Sequence, residues 1–573
     1  MSTLFKIKKQ IATLINKNFK ETILSPEEIV YPPNPEMGDL SLPCFQIAQK
    51  LNTSANLAAI DLKNMLSAKK NSFIATMVAA GPYLNISIKK DFLNQSVLDE
   101  IAKSQDKYGQ NKNGKNKRVM VEYSNANTHK EYHIGHLRNV SYGDSVQKII
   151  AANGYKAIPV SYINDFGIHV AKTLWCLNEY HKKEIPNGNK GEFLGKLYAE
   201  ASEKSKDNPI ANQMIALMMK KIESRAGEEY KQWQETRLWS IKQFDTIYKE
   251  LNIQFEHIFY ENDLIKKGLA EVKKLKQAGI LVKSDGAVIA DLSQYNLGVL
   301  VIIRSDGSAL YPVADIPLAT HKIKKYKLSK SIYIVDGRQS LYFKQLFKLL
   351  DLMGYKQDLI HLSYDFVKLP SGMMSSRTGN VITYNDLKNQ IITKAKDEII
   401  ARHSLWTNEK IDEVALKLAI STMKFEMLKV DANQIITFDV NQALKFEGYT
   451  AGYIQYTYAR FSSILRTYTE ADAEKINPEI ITKNLNTQKE HELIMKLAKY
   501  PEIVESAYAS YNSSTIAKYL FELTKLCNDY YHSTPVLKAE ESVKIARIIL
   551  VKQINTVIQN GLALLGIEVL KEM

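Results

Sequence analysis

Cysteine is scarce in this chain. Cys44, Cys176 and Cys527 are the only three among 573 residues, and no two stand in a Cys-x-x-Cys spacing. So few and so scattered, they exclude a disulfide framework and a cysteine-built zinc site, and they point to a reducing compartment and no structural metal. Long apolar runs are missing too: no stretch approaches the roughly 20 residues that a membrane-spanning helix requires, so no membrane partner is expected. Internal repeats and low-complexity tracts are absent. The N-terminus lacks arginine; Lys6, Lys8, Lys9 and Lys17 stand among Phe5, Ile7, Ile11, Leu14 and Ile15, and Glu21 follows early. That pattern suits a folded amphipathic helix with a solvated charged face better than a transit peptide. A cytoplasmic location is the expectation.

What is present in excess is positive charge. The formal net charge is +14, which favours a polyanionic partner, nucleic acid being the simplest, while saying nothing of the fold. The length suggests about three or four domains with ample core.

The most informative residues are His133-Ile134-Gly135-His136. They follow an extended segment, 119–123, and open an apolar-periodic helix that runs to Asn153-Gly154; a second strand-like run, 158–163, comes next. The motif therefore occupies the first turn of a βαβ unit, where a helix N-terminus offers free backbone N–H groups to an anion. Two imidazoles there can donate hydrogen bonds to phosphate oxygens, and the glycine between them admits a flat ring. This suits nucleotidyl transfer from ATP by preorganised electrostatics, without a covalent intermediate.

Four residues are a weak pattern alone. A matching partner would be a mobile, glycine-containing loop after a late strand, bearing hydroxyls and a cation for the phosphates. Met373-Met374-Ser375-Ser376-Arg377-Thr378-Gly379-Asn380 answers that description, after a strand expected over 361–367.

These motifs carry a resemblance. The segment Val121-Glu122-Tyr123-Ser124-Asn125-Ala126-Asn127 leading into the histidine motif resembles the core of the class I aminoacyl-tRNA synthetases, in particular the arginyl-tRNA synthetases. So do the Tyr162-Ile163-Asn164-Asp165-Phe166-Gly167 turn and Asp306-Gly307-Ser308-Ala309-Leu310-Tyr311 with Asp315. Near the other end, Tyr453-Ile454-Gln455-Tyr456-Thr457-Tyr458-Ala459-Arg460 and Gln559-Asn560-Gly561-Leu562-Ala563-Leu564-Leu565-Gly566-Ile567 resemble that family's helical anticodon-binding domain. The resemblance implies a Rossmann-like parallel-sheet catalytic core, an α+β N-terminal additional domain and a C-terminal α-helical anticodon-binding bundle. It implies ATP with Mg²⁺ as substrate, L-arginine and tRNA(Arg) as partners, and amino-acid activation that waits for bound tRNA; no zinc and a monomeric molecule are separate expectations.

Punctuation along the chain gives expected boundaries. Residues 1–104 form the N-terminal unit, with a proline-rich turn at Pro32-Pro33-Asn34-Pro35. Residues 105–118, rich in lysine, asparagine and glycine, read as a basic linker. The catalytic domain is expected over 119–390, a helical insertion occupying about 175–260 and strands resuming at 287–291, 299–304 and 332–335 within a parallel sheet. Long helical periods then make 391–573 a helical bundle.

A guanidinium presents five donors in a plane and keeps its charge, so an arginine pocket needs carboxylates placed as bidentate acceptors and an aromatic face. Tyr311 and Asp315, four apart, would share a helix face. The resemblance assigns this pair to the arginine side chain, Glu122 as a second acidic contact, and Asn127 and Gln339 to the α-amino and carboxylate groups. For ATP the expected residues are His133, Gly135, His136, Met374, Ser375, Ser376 and Arg377, with Asp165 and Gly167 in the turn after the second strand, where a doubly wound fold collects ribose and phosphate contacts. Catalysis is expected from His133, His136 and Lys130. Both lysines usual in the family's loop are missing; Lys130 and Arg377 are the two candidates to replace them. At the anticodon end Gln455, Tyr456 and Arg460 offer amide, aromatic and cationic groups for splayed bases; helical spacing keeps the cluster from sharing one face, so some of it is expected in the core, with Tyr456 and Tyr458 both candidates. Trp175 and Cys176 read as core. A synthetase for another amino acid, a tRNA-independent adenylylating enzyme and a non-catalytic tRNA-binding paralogue are the competing readings.

Overall fold

The computed structural model describes the chain except residues 1, 19–23, 69–71, 183, 185, 187, 371–381 and 469–482. The expected phosphate loop at 373–380 thus lies outside the described residues.

The N-terminal unit begins with α1 (Thr3–Asn16), started by Ser2, whose hydroxyl accepts from the Phe5 amide. Leu4, Ile7, Ile11 and Ile15 fall on one face at helical spacing and are all buried. The charged face is less solvated than the sequence suggests. Lys8 is buried, with its ammonium 3.0 Å from Glu502 and 4.3 Å from the Tyr31 ring centre; the C-terminal bundle supplies the countercharge that a single-domain reading leaves out. Strands β1 (Leu40–Pro43), β2 (Ile74–Ala80) and β3 (Tyr83–Ile88) form an antiparallel sheet in the order β1-β3-β2, accompanied by α2 (Phe45–Lys50), α3 (Ala55–Ser67) and α4 (Lys90–Ser104).

The basic stretch after α4 is docked, not a free tether. Tyr108 is buried, stacks on Tyr500 and donates to the Leu497 carbonyl. Asn560 donates to the Gln105 and Tyr108 carbonyls, and the Asn111 amide to Ala152. A single aromatic anchor with its backbone groups paired outweighs the polar composition that suggested a linker.

The catalytic unit is built on a five-stranded parallel sheet in the order β11-β10-β4-β5-β6. Its strands are β4 (Arg118–Glu122), β5 (Lys156–Ile163), β6 (His257–Tyr260), β10 (Lys330–Asp336) and β11 (Asp358–Tyr364). Helix α5 (Ile134–Ala152) joins β4 to β5 and ends at Asn153 and Gly154, the latter at φ +82°. Between β5 and β6 lie α6 (Ile168–Tyr180), α7 (Lys190–Lys204), α8 (Pro209–Glu223) and α9 (Gly227–Glu250). They enclose a separate apolar core that includes Trp175, Cys176 and Trp233.

The structure departs from the expected single sheet between β6 and β10. After α10 (Ile265–Gln277), strands β7 (Val282–Ser284), β8 (Ala287–Asp291) and β9 (Val299–Ile303) form their own antiparallel sheet. Asp285 and Gly286 both have positive φ, and Ser284 pairs with Ala287. A two-residue Asp-Gly turn of this kind makes a hairpin; a parallel pairing would need a long crossover. Helices α11 (Pro312–Tyr326) and α12 (Ser340–Leu352) then lead through β10 to β11, and β12 (Val367–Lys368) follows.

The remainder is helical: α13 (Tyr384–Arg402), α14 (Asn408–Leu428), α15 (Val440–Ala443), α16 (Ala451–Arg466), α17 (Gln488–Ser510), α18 (Ser513–Ser533) and α19 (Glu541–Leu564). One short strand, β13 (Ile436–Thr437), pairs with β12. The bundle is tied to α5 by a fully buried lysine. Lys424 donates to the Leu251 carbonyl at 2.6 Å and the Gly566 carbonyl at 2.7 Å, and lies 3.4 Å from Asp144 on α5. Burial pushes its ammonium down to about 8, with Asp144 opposing the shift. No described helix is long and apolar enough to cross a membrane.

Candidate active site

A cavity of about 760 Å³ opens at the C-terminal ends of β4, β5, β10 and β11. Strand β4 has β5 on one side and β10 on the other, so the chain reverses its order there. Doubly wound sheets collect ligands at that crevice.

The chain reaches the cavity from β4 through a constrained segment. Ser124 and His129 are buried and adopt φ of 59° and 61°, left-handed values that non-glycine residues rarely take. Hydrogen bonds hold both: Ser124 donates its amide to Asn139 at 2.5 Å, and His129 donates its amide to Ser240 while its ring bonds Thr128 and Thr236. Helices α5 and α9 thus fix the path that delivers Lys130 and His133.

His133 is the N-cap of α5, and the two histidines form a reciprocal capping box. His133 Nδ1 accepts from the Gly135 amide at 3.0 Å, and His136 Nδ1 accepts from the His133 amide at 3.1 Å. An Nδ1 that accepts carries no proton, so each neutral ring holds its hydrogen on Nε2 and is a donor there. Burial, with Lys130 adding to it, lowers His133 to about 4; burial and the neighbouring His133 depress His136 further. Both rings are therefore neutral at physiological pH and lie 3.9 Å apart, centre to centre. The local reason for the motif is helix capping, and its consequence is a pair of fixed Nε2–H donors at a positive helix end.

The far side of the cavity is acidic. Tyr311 caps α11, is 67% exposed and lies at the rim; Asp315, one turn on, lines the interior. Desolvation raises Asp315 to about 7, with Glu122 adding to the rise and the Tyr342 hydroxyl, Lys322 and Tyr162 opposing it. Tyr342 donates to Asp315 Oδ2 in a very short hydrogen bond. Glu122 lies in the cavity wall but already pairs with the fully buried Lys322 and accepts from Asn125 at 3.1 Å. Asn127 and Gln339 line the same cavity.

Thus His133, Gly135, His136, Lys130, Glu122, Asn127, Tyr311, Asp315 and Gln339 meet in one space. Lys130 lies in its wall, 4.8 Å from the Tyr198 ring centre. Residues 374–377 lie outside the described residues, but the chain re-enters beside the motif. His133 bridges Thr383, and the Ile134 amide donates to the Ile382 carbonyl.

Asp165 and Gly167 are not brought to the cavity wall. Asp165 is fully buried, bound by Arg237 Nε at 2.5 Å and by the Asn262 amide at 3.0 Å, so its carboxylate anchors α9 and the turn after β6. Gly167, at φ +134°, starts α6. Gln455 is likewise consumed internally: fully buried, it donates to Ser421 and the Glu568 carbonyl and accepts from the Leu570 amide. Tyr456 and Arg460 remain half-exposed on α16, bonded to one another at 3.1 Å, and Tyr458 is core. Sequence reasoning gave Lys322 and His129 no place in the site, and gave Ser124 and Tyr342 no role in it. The only sequence signal was Lys322 standing seven residues after Asp315, on the same helix face.

Comparison with known proteins agrees along the whole chain. Residues 97–439 match the family described as tRNA synthetases class I (R), catalytic domain; residues 6–88 match the arginyl tRNA synthetase N terminal domain, and residues 454–573 the DALR anticodon binding domain. The arginine-tRNA ligase of Bdellovibrio bacteriovorus is 33% identical over 95% of this chain and 94% of its own length. That of Halothermothrix orenii is 33% identical over 99% of both. In fold, the chain resembles the arginyl-tRNA synthetase of Thermus thermophilus, with a TM-score of 0.79 at 24% identity and full coverage of both chains. The Plasmodium falciparum arginyl-tRNA synthetase gives 0.77 at 20%, also with full coverage. With its catalytic family matched over more than half its length and relatives a third identical from end to end, the chain belongs to the class I arginyl-tRNA synthetase family.

Proposed function

We propose that this cavity activates L-arginine with ATP and transfers it to the 3′ end of tRNA(Arg). The arginine carboxylate attacks the α-phosphorus of Mg–ATP, forming arginyl-adenylate and releasing pyrophosphate. The terminal ribose hydroxyl of tRNA then attacks the activated carbonyl, giving arginyl-tRNA and AMP. No side chain acts as nucleophile; orientation and charge stabilisation supply the acceleration. Magnesium enters with ATP, held by phosphate oxygens and water.

The observation that carries this reading is the pairing of two neutral Nε2–H imidazole donors at a helix N-terminus with an uncompensated carboxylate, Asp315, in one cavity. His133 and His136 donate to phosphate oxygens as charge develops. Asp315 and Tyr311 take the guanidinium, Glu122 supports that end, and Asn127 and Gln339 orient the α-amino and carboxylate groups. Lys130 supplies the cation for the departing pyrophosphate, with Arg377 as its rival. Residues 1–104 contact the tRNA body, and Tyr456 and Arg460, within 391–573, face the anticodon arm; the net charge of +14 favours both. The molecule acts as a cytoplasmic monomer, and activation waits for tRNA.

The test is arginine-dependent exchange of labelled pyrophosphate into ATP, with and without tRNA. Exchange with arginine only when tRNA is present is expected. Exchange with another amino acid overturns the substrate, strong exchange without tRNA overturns the coupling, and no exchange from folded protein favours a non-catalytic tRNA binder.

A further inference from the structure

We infer that Lys322 is a positioning residue of the arginine slot: it binds Glu122 and so, of the two carboxylates Glu122 and Asp315, leaves Asp315 free to meet a guanidinium. The inference rests on the arginine reading of the cavity and deepens it.

A lysine with no exposed surface is costly unless its charge is met, and replacing a buried ion pair with apolar groups is often neutral or stabilising. The Lys322–Glu122 pair therefore needs a reason beyond stability, and its place supplies one. Lys322 stands on α11 two turns from Asp315, on the face that lines the cavity, and its ammonium bonds Glu122 at the end of β4. The rings of Tyr333 and Phe259 enclose it at 4.9 and 5.5 Å. Asn125 occupies the other oxygen of Glu122. Glu122 is thus saturated from two sides, whereas Asp315 receives only neutral hydroxyl donors.

The electrostatic consequence concerns Asp315. The groups that bear on it are Glu122 from β4, Tyr162 from β5, Tyr342 from α12, Tyr333 from β10, Glu261 after β6, and Tyr311 and Lys322 on its own helix. Glu122 pushes Asp315 towards its protonated form and Lys322 opposes that push. Without Lys322, two carboxylates would share the slot and hold a proton to higher pH. Glu261, raised to about 8 and bonded by Asn164, is common to every variant below and does not touch Lys322.

The experiment measures the arginine KM and kcat of aminoacylation by the full chain between pH 6 and 8.5. In Lys322→Met the pH midpoint of KM should rise by about one unit, raising KM at pH 7 about fivefold while kcat changes less. Lys322→Arg, which keeps the charge, should retain the wild-type midpoint. The double variant Glu122→Gln with Lys322→Met leaves Asp315 as alone as in the wild type and should return the midpoint to the wild-type value, a rescue that a purely structural role does not give. An unmoved midpoint in Lys322→Met, or a double variant whose midpoint stays raised, overturns the inference. Should Lys322→Met fail to fold, the double variant decides by its midpoint alone: a wild-type midpoint supports the inference, and a midpoint raised by about one unit refutes it. A wild-type chain that charges no arginine refutes the reading of the cavity itself.

Discussion

Gly135→Ala separates catalysis from stability at the histidine motif. A Cβ at this position would lie 2.9 Å from His133 Cε1 and 3.0 Å from Nδ1, closer than carbon atoms ordinarily come. The backbone there belongs to the first turn of α5, so the His133 ring must turn away and give up the hydrogen bond from the Gly135 amide. Losing a cap of this kind costs about 1 kcal/mol. Alanine is favoured over glycine inside a helix by about 1 kcal/mol. The two effects oppose each other, so the unfolding free energy should stay within about 1 kcal/mol of wild type. Activity has no such compensation. Once the ring has moved, its Nε2–H no longer points where charge develops, and misplacing one preorganised donor costs about 10²–10³ in kcat. The assay is pyrophosphate exchange at saturating arginine with tRNA present, beside urea unfolding of the same preparations. Exchange within twofold of wild type, or a stability loss large enough to explain the lost rate, would refute the reasoning.

Four further outcomes follow from the geometry. Asp315→Asn removes a charge-assisted acceptor worth about 2–3 kcal/mol, so arginine KM should rise roughly 30- to 150-fold with a smaller change in kcat; unaltered saturation by arginine removes Asp315 from the pocket. Because desolvation raises Asp315 to about 7, the free protein holds a proton there below that pH and arginine must displace it. Arginine affinity should therefore fall by up to about tenfold per unit below pH 7 and level off above it, a slope that titration calorimetry reads directly and that Asp315→Asn should flatten. Lys130→Ala should depress pyrophosphate exchange far more than arginine binding, and an undiminished rate would transfer its role to Arg377. Gly566→Ala places a methyl against Asp144 and Lys424 at a φ of +69°. It should lower the unfolding free energy by about 1–3 kcal/mol in urea, and a change under about 0.5 kcal/mol would show that the contact is not tight.

The sequence carried the βαβ unit well, because strand, histidine cap and glycine stop are all local signals. Helix α5 spans Ile134–Ala152, close to the expected limits, and β5 contains the expected 158–163. Residues that meet in the cavity were legible where a motif named them, as with His133, Asp315 and Gln339. What escaped notice depends on pairing across the chain. Lys322 and Glu122 are 200 residues apart and only folding makes them partners. Asp165 looked like a ribose contact because the turn after β5 is a usual ligand site, yet Arg237 from the helical insertion claims it. Gln455 carried a plausible amide for base recognition, but the last residues of the chain fold back to bond it. The antiparallel β7-β8 pair has a local signal in Asp285-Gly286, set within a stretch whose strands and helices otherwise alternate.

The central claim is that one cavity joins ATP chemistry to a slot that selects arginine for attachment to tRNA. It is tested most directly by charging unfractionated tRNA with each amino acid in turn, using the wild-type chain and Asp315→Asn side by side. Acid-precipitable label from arginine alone, lost or strongly reduced in the variant at low arginine, is the predicted result. Charging with a different amino acid, or equal arginine charging by both proteins at every concentration, would contradict it.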